Sequence, residues 1–206
     1  MSGLRERKKR ETREQIALVA AELFVAAGFD AVTVDQVAEA AGVSRQTVFN
    51  YFPSKEQMLF DRDAENEAAL VAAVRDRAPG TSLVGAFRGH TRAFWSRVEV
   101  ILRDGPTPHG FWGIVRQSPA LRAHAEAMFA RHARSVARQI AAERGVPEDD
   151  PVCEALARAL CGVNVAVLTS GFERLTDGQP VSAVVSDVLA AADAAYDLLE
   201  HGLGTS

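Results

Sequence analysis

Apolar residues recur at steps of three and four along nearly the whole chain, which is the spacing of one face of an α-helix. Ile16, Ala20 and Phe24, for example, fall on a single face. The best strand candidate, residues 181–188, interleaves Ala with Ser and runs into an Ala-rich helical pattern. The sequence therefore predicts an all-α protein of about nine helices.

Helix boundaries are marked most clearly in the first 60 residues. Capping-box sequences, in which Ser or Thr stands three residues before Gln, begin at Thr12, Thr33 and Ser54. Gly42 marks a turn, and Ser44 is suited to cap the helix that follows it. These signals predict helices that begin at Thr12, Thr33 and Ser44, followed by one long helix from Ser54 to about residue 77.

Proline and glycine divide the rest of the chain into five further helical stretches. We expect these helices at about residues 82–103, 111–115, 118–144, 151–175 and 180–200. The expected domains are an N-terminal three-helix domain (residues 1–53), a connecting helix (residues 54–78) and a larger C-terminal helical domain (residues 79–206).

The charge is unevenly distributed along the sequence. The 206 residues carry a formal net charge of −4, which by itself disfavours a nucleic-acid partner. Residues 1–13, however, hold six Lys and Arg against two Glu. A basic N-terminal arm of this kind is suited to contact the DNA backbone or the minor groove. A solvated terminus has the same composition, so both interpretations stay open.

Residues 33–52 have the layout of a helix-turn-helix, in which the second helix enters the major groove of DNA. Val37 and Val48 stand at inward positions, and polar residues take the outward ones. Arg pairs with guanine, Gln and Asn pair with adenine, and the Thr methyl packs on thymine. A helical hairpin with a polar outer face is the alternative. The candidate DNA-binding residues are Ser44, Arg45, Gln46, Thr47, Asn50, Tyr51 and, for phosphate, Lys55.

Three stretches of the N-terminal region carry a more specific pattern. They are AELF at residues 21–24 with GF at 28–29, TVDQVAEAAGVS at 33–44 and TVFNYFPSKE at 47–56. Together they resemble the signature of the TetR family of bacterial transcriptional regulators. The sequence departs from the usual family pattern at Gln46, where Gly is common, and at Phe49, where Tyr is common. These departures bear on the operator sequence rather than on DNA binding itself.

The resemblance implies a homodimer that binds a palindromic operator, commonly as a repressor, and that a small ligand in the C-terminal domain releases. It also implies base reading by Arg45, Gln46 and Thr47. Contacts to backbone phosphate or to the flanks of the bases would come from Thr33, Asn50, Tyr51 and Lys55.

Aromatic residues concentrate in the first part of the C-terminal domain, where they predict a mostly apolar ligand pocket. Simple core packing is the alternative for each of them. Residues 114–122 are also similar to a stretch in family members that have an acyl-CoA-like ligand domain, which suggests a lipid- or acyl-CoA-like effector. The candidate pocket residues are Phe87, His90, Phe94, Trp95, Phe111, Trp112, Val115, Met128, Phe129 and His132.

The last two predicted helices are rich in small and apolar residues, and in the family two such helices form the dimer interface. Burial within the same subunit is the alternative. The candidate interface residues are Val163, Val167, Phe172, Val184, Val188, Leu189, Ala192 and Tyr196.

Other classes of protein receive little support from the sequence. It contains no nucleophile elbow, phosphate-binding loop or His-Glu-x-x-His motif, so we expect neither an enzyme nor a metal or cofactor site. Cys153 and Cys161 are about 12 Å apart on one helix, too far to bridge, and fit a reducing cytoplasm. No secretory signal or membrane span is expected. Beside a ligand-released repressor, two alternatives stay open: a DNA-binding protein of this fold without an effector, and an enzyme in the C-terminal domain.

Overall fold

The computed structural model describes residues 2–103 and 111–202, and every element in these ranges is an α-helix. The predicted all-α class is confirmed. The helices are α1 (Ser2–Ala27), α2 (Val34–Ala40), α3 (Arg45–Tyr51), α4 (Glu56–Leu59), α5 (Asp63–Arg75), α6 (Leu83–Arg103), α7 (Phe111–Gln117), α8 (Pro119–Arg144), α9 (Pro151–Thr176) and α10 (Val181–His201).

Helix α1 begins ten residues earlier than the sequence predicted. The Thr12 hydroxyl donates a hydrogen bond to the carbonyl of Lys8 at 2.9 Å, so Thr12 lies inside the helix and does not cap it. The residues before it are mostly Arg, Lys, Glu and Leu, which are strong helix formers. The predicted basic arm is therefore helical.

The predicted helix from Ser54 to about residue 77 is two helices, α4 and α5, which gives ten helices in the described ranges instead of about nine. The break falls at Phe60, whose φ of −99° and ψ of 42° are not helical. The Phe60 ring is buried and stacks on His124, with the ring centroids 5.2 Å apart. This contact depends on a residue 64 positions away, which local sequence signals do not reveal.

The chain forms two compact units that differ from the predicted domains. The head unit comprises Met1–Asp63 and Gly113–His124, and the body unit comprises Ala64–Trp112 and Ala125–Ser206. Two contacts hold the segment Gly113–His124 in the head unit. The Ser118 hydroxyl donates a hydrogen bond to the Asp30 carboxylate at 3.0 Å, and the His124 ring stacks on Phe60.

The head unit is built on α1. Phe24 is fully buried, and its ring meets Phe29 edge to face at 5.0 Å. The Arg13 guanidinium donates to the carbonyl of Tyr51 at 2.7 Å and lies 4.2 Å from the centre of the Phe52 ring. Arg13 thereby holds the C-terminal end of α3 against α1.

The body unit has an apolar core shared by α6, α9 and α10 together with parts of α5 and α8. A buried hydrogen bond of 2.9 Å joins the hydroxyls of Thr91 and Tyr196 across α6 and α10. At the edge of the same contact, Arg88 pairs with Asp193 at 3.0 Å and with Asp197 at 2.7 Å. Both polar contacts fix α6 against α10.

Candidate nucleic-acid interface and body sites

The geometry of the helix-turn-helix is set by local caps. Thr33 and Gln36 form a reciprocal capping box at the start of α2. Gly42 has a φ of +68°, the left-handed conformation that favours glycine, and it allows the chain to reverse between the helices. The Ser44 hydroxyl accepts a hydrogen bond from the Thr47 amide at 3.0 Å and caps α3. These three signals were read correctly from the sequence.

Helix α3 separates its inward and outward residues as its pattern predicts. Val48 is fully buried, whereas Arg45, Gln46 and Asn50 are exposed and Thr47 is half-buried. The outward surface of α3 therefore carries the side chains that can read base edges in a major groove.

Arg45 is already oriented in the free chain. Its Nη1 atom lies 2.9 Å and 3.2 Å from the two carboxylate oxygens of Asp35 on α2, and its guanidinium lies 5.5 Å from the centre of the Phe49 ring. Both charged side chains are more than half exposed, so the pair sits at the surface that faces solvent. No local sequence signal indicates this partner, which lies ten positions away on another helix.

The other outward groups of α3 are bonded to one another. The Gln46 amide donates to the side-chain oxygen of Asn50 at 3.1 Å, and the hydroxyls of Ser44 and Thr47 are 2.8 Å apart. Base edges offer the same kinds of donor and acceptor, so these exposed contacts can be exchanged for contacts to DNA at little cost.

Lys55 donates hydrogen bonds to backbone carbonyls within the head unit. Its ammonium donates to the carbonyls of Phe29 at 2.7 Å and Val32 at 3.0 Å, and it lies 4.1 Å from the centre of the Phe29 ring. Lys55 thus holds the loop between α1 and α2. The phosphate contact predicted for it stays a prediction, as does that of Thr33, whose side chain caps α2.

A cleft of about 770 Å³ lies between the first three turns of α1 and helix α3. The wall from α3 includes Asn50 and Tyr51, which the sequence had indicated as DNA-binding residues. The residues that line the cleft are Arg5, Glu6, Lys8, Lys9, Thr12, Thr47, Asn50 and Tyr51. Sequence reasoning missed the cleft because it did not extend α1 to its true start.

The body unit gathers four aromatic side chains into one cluster, which we call the aromatic cluster: Phe94, Trp95, Trp112 and Phe172. Phe172 lies at its centre, with ring centroids 6.3 Å from Phe94, 5.3 Å from Trp95 and 5.8 Å from Trp112. Three of these four residues were predicted to line a ligand pocket. Phe172 is also a predicted dimer-interface residue; it is partly buried, and its place in an interface stays a prediction.

The remaining candidate pocket residues are dispersed. Phe87 is fully buried in the core of the body unit, while Met128 and His132 are buried on α8, where Phe129 meets His132 at 6.3 Å. Val115 belongs to the head unit, and the side chain of Phe111 lies outside the described residues. His90 is half-buried, and burial together with the positive charge of Arg97 lowers the pKa of its imidazole.

Most of the predicted dimer residues are buried in the body unit's own core, where they are not available to a partner, and the place of the others in an interface stays a prediction. Five of them are buried within the subunit, namely Val167, Val184, Val188, Ala192 and Tyr196. The other three, Val163, Phe172 and Leu189, are partly buried against the same core. The physical reason is that α9 and α10 are apolar on more than one face, so hydrophobic periodicity does not tell which face meets a partner.

The outer faces of α9 and α10 carry exposed charged residues such as Arg158 and Asp187, but also many small and apolar residues. On α9 these exposed residues are Ala155, Leu156, Ala159, Gly162 and Ala166, and on α10 they are Ala183, Ala190, Ala191, Ala194 and Leu198. By length and composition alone α9 could cross a membrane, and 28% of its most apolar window is buried within the chain. One such helix is weak evidence for a membrane segment, because core helices of soluble proteins pass the same test.

Comparison with known proteins gives this architecture its family. Residues 16–61 match the family described as bacterial regulatory proteins, tetR family, and residues 113–204 match the MftR C-terminal domain. The TcmR transcriptional regulator of Streptomyces glaucescens is 36% identical over 151 residues, which cover 72% of this chain and 67% of that protein. The chain belongs to the TetR family. It is a transcriptional regulator with an N-terminal DNA-binding helix-turn-helix.

Further TetR-family relatives match nearly the whole chain. The MftR regulator of Mycobacterium tuberculosis is 28% identical over 199 residues, covering 96% of this chain and 93% of that protein. The crystal structure of Thermus thermophilus FadR, a TetR-family repressor in complex with lauroyl-CoA, is 27% identical with a TM-score of 0.53, covering 94% of this chain and 96% of that one. A TetR-family regulator from Syntrophomonas wolfei shares the fold at a TM-score of 0.63 and 17% identity, covering 96% and 98% of the two chains.

Proposed function

We propose that this TetR-family regulator is a homodimeric repressor that binds a palindromic operator and is released from it by a small, mostly hydrophobic ligand. The observation that carries the proposal is the capped helix α3, which directs Arg45, Gln46 and Asn50 outward within the region that matches the family. The protein would act in the cytoplasm and without catalysis.

Sequence reading by α3 follows from the chemistry of its exposed groups. An Arg side chain recognises the O6 and N7 atoms of guanine, and Gln or Asn recognises adenine. In a two-fold symmetric dimer, two copies of α3 would meet major grooves about one turn of DNA apart, roughly 34–36 Å, and the operator would be a palindrome. The base contacts of Arg45, Gln46 and Thr47 and the phosphate contacts of Thr33, Tyr51 and Lys55 are part of this proposal.

We place dimerisation on the outer faces of α9 and α10, because the inner residues of these helices are already buried within the subunit. Their exposed side chains include seven Ala residues together with Gly162, and small residues of this kind allow two helices to approach closely. A large apolar surface of this kind is unusual on a monomer and is typical of a subunit interface. The apolar character of α9 is thereby explained without a membrane.

The effector is proposed to be lipid-like, such as an acyl-CoA. The aromatic cluster offers a large apolar surface in the body unit. Thermus FadR, whose similarity covers 94% of this chain, was crystallised with lauroyl-CoA. Apolar walls with few polar groups are what an acyl chain requires.

Selection of binding sites from random duplex DNA with the purified full chain tests DNA recognition. We expect enrichment of a two-fold symmetric sequence with two half-sites about one helical turn apart. Failure to enrich any sequence would overturn the proposed function.

Titration of the protein–operator complex with lauroyl-CoA tests the effector class, with coenzyme A alone as the control. We expect lauroyl-CoA to release the DNA and to change the fluorescence of Trp95 and Trp112, the two tryptophans of the chain. Operator binding that no acyl-CoA chain length alters would instead support a TetR-family regulator without such an effector.

A further inference from the structure

The residues before Thr12 form about three turns of helix, and their helical form limits how they can meet DNA. A helix with its side chains is about 10–12 Å wide, whereas the minor groove of B-DNA is about 6 Å wide. The start of α1 is therefore too wide to enter the minor groove as an extended basic arm does. If α3 occupies the major groove, the sugar–phosphate backbone is the part of the duplex that remains for the cations of α1.

The basic residues of this segment fall into two groups on opposite faces of α1, because successive residues are rotated by about 100°. Arg7 pairs with Glu11 at 3.4 Å, and Arg10 pairs with Glu14 at 3.8 Å. Both pairs lie on the face away from α3.

Arg5, Lys8 and Lys9 lie on the other face and line the cleft beside α3. Within the described part of the chain none of the three makes an ion pair. Glu6 is the one acidic residue of the lining, so three cations face one carboxylate. The cleft therefore presents a net positive surface that the described residues do not neutralise.

The cleft lies beside α3, the helix that is proposed to enter the major groove of the duplex. Its other wall is α3, through Thr47, Asn50 and Tyr51. When α3 lies in a major groove, about 12 Å wide, a strand of phosphates borders the groove on each side. With α3 docked in this way, the cleft at its flank would face one of these strands.

We propose that the cleft between the first three turns of α1 and α3 holds one sugar–phosphate strand of the operator, with Arg5, Lys8 and Lys9 on its phosphates. The inference rests on the proposed DNA-binding function and adds a second binding surface to it. Contacts to phosphate supply affinity and register without sequence choice, so this surface complements base reading by α3.

The salt dependence of DNA binding by the full chain tests this proposal with a matched pair of variants. Lys8→Ala and Arg7→Ala each remove one positive charge from the same turn of α1, but only Lys8 lines the cleft. Binding of a random-sequence 30-base-pair duplex and of the selected operator is measured by fluorescence anisotropy over a series of KCl concentrations. Each phosphate contact contributes a slope of about −0.9 to log K against log[salt].

We expect Lys8→Ala to make the slope shallower by about 0.9 for each subunit bound, on both duplexes, and Lys8→Arg to restore it. Arg7→Ala leaves the slope unchanged, and Glu6→Gln tightens binding to both duplexes. Equal slopes for Lys8→Ala and Arg7→Ala, or a loss confined to the operator, would overturn the proposal. If the wild-type chain binds neither duplex, the proposed function itself fails. The far-UV circular dichroism of each variant confirms that α1 stays folded.

Discussion

The exposed ion pair between Asp35 and Arg45 orients the Arg45 side chain but adds little to the stability of the fold. A surface ion pair contributes only about 0–1 kcal/mol to folding. The carboxylate of Asp35 engages Nη1 of Arg45, and in the described structure Nε and Nη2 make no hydrogen bond. These two groups are free to pair with the O6 and N7 atoms of a guanine, so Asp35 holds Arg45 in a form suited to base reading.

Replacement of Asp35 by Ala is therefore expected to weaken base discrimination. We expect a loss of about 1 kcal/mol in preference for the base read by Arg45, out of the 1–3 kcal/mol that one bidentate contact typically provides. Binding to random DNA should become tighter, because a negative charge near phosphate is lost. The measurement compares affinities for operators that differ at this base. Glu39→Ala, an equal change of charge at another exposed position on α2, is the control, and equal losses in both variants would refute the role of Asp35.

His90 predicts a dependence of stability on pH. Its burial and the charge of Arg97 hold its pKa below the ordinary value of 6.5, so the unfolded chain binds this proton more readily than the folded chain. The free energy of unfolding should therefore fall as the pH drops below about 6.5. In urea titrations between about pH 7 and pH 5, His90→Leu should lose less stability than the wild type, with a difference of up to about 1.4 kcal/mol per pH unit. Parallel pH profiles would contradict this assignment.

At the scale of the helices, the sequence predicted best where the signals are local. The caps of α2 and α3 depend on residues within four positions of one another, and Gly42 needs only its own backbone freedom. Local signals alone misplaced the start of α1, since Thr12 follows a run of helix-favouring residues from Leu4 to Glu11. The break at Phe60 and the bonds of Lys55 depend on contacts with residues distant in the sequence, so no local pattern shows them.

The packing of α9 against α6 depends on Gly171. Trp95, the largest buried side chain of the body unit, lies directly over Gly171, and a Cβ atom there would overlap its indole ring. Gly171→Ala should therefore lower the free energy of unfolding by about 1–3 kcal/mol, the usual cost of overpacking.

Gly89→Ala on α6 is the matched control, because nothing lies within 4 Å of the added Cβ. It should raise the free energy of unfolding by about 0.5–1 kcal/mol through helix propensity alone. The two variants are compared by urea denaturation of the full chain. A Gly171→Ala protein as stable as Gly89→Ala would show that Trp95 can move aside.

At the scale of the whole molecule, the sequence alone does not determine which face of α9 and α10 meets a partner. Both faces are apolar, so periodicity alone favoured the residues that in fact form the core of the body unit. The three-dimensional arrangement leaves the Ala-rich outer faces exposed. Only the packing of the subunit distinguishes the two faces.

A charge on the outer faces should therefore separate the subunits. Ala159→Glu on α9 and Ala194→Glu on α10 would place unpaired carboxylates in the proposed interface, which should weaken the dimer by roughly 100-fold or more. Ala127→Glu, at an exposed position on α8, is the control. Sedimentation velocity at micromolar concentration measures the oligomeric state. If Ala159→Glu and Ala194→Glu remain dimeric with normal affinity, the interface lies elsewhere.

The segment Gly113–His124 limits how this regulator can be divided or recombined. It follows the head's first stretch by some 50 residues, yet it supplies Ser118 to Asp30 and a fully buried Leu121 to the head unit. A chimera that joins residues 1–63 to the body of another regulator would lack the contacts that Ser118 and Leu121 make in the head unit. Exchange of DNA-binding specificity between relatives therefore requires three junctions, after residue 63 and on either side of residues 113–124, and the two segments must be inherited, or engineered, as a pair.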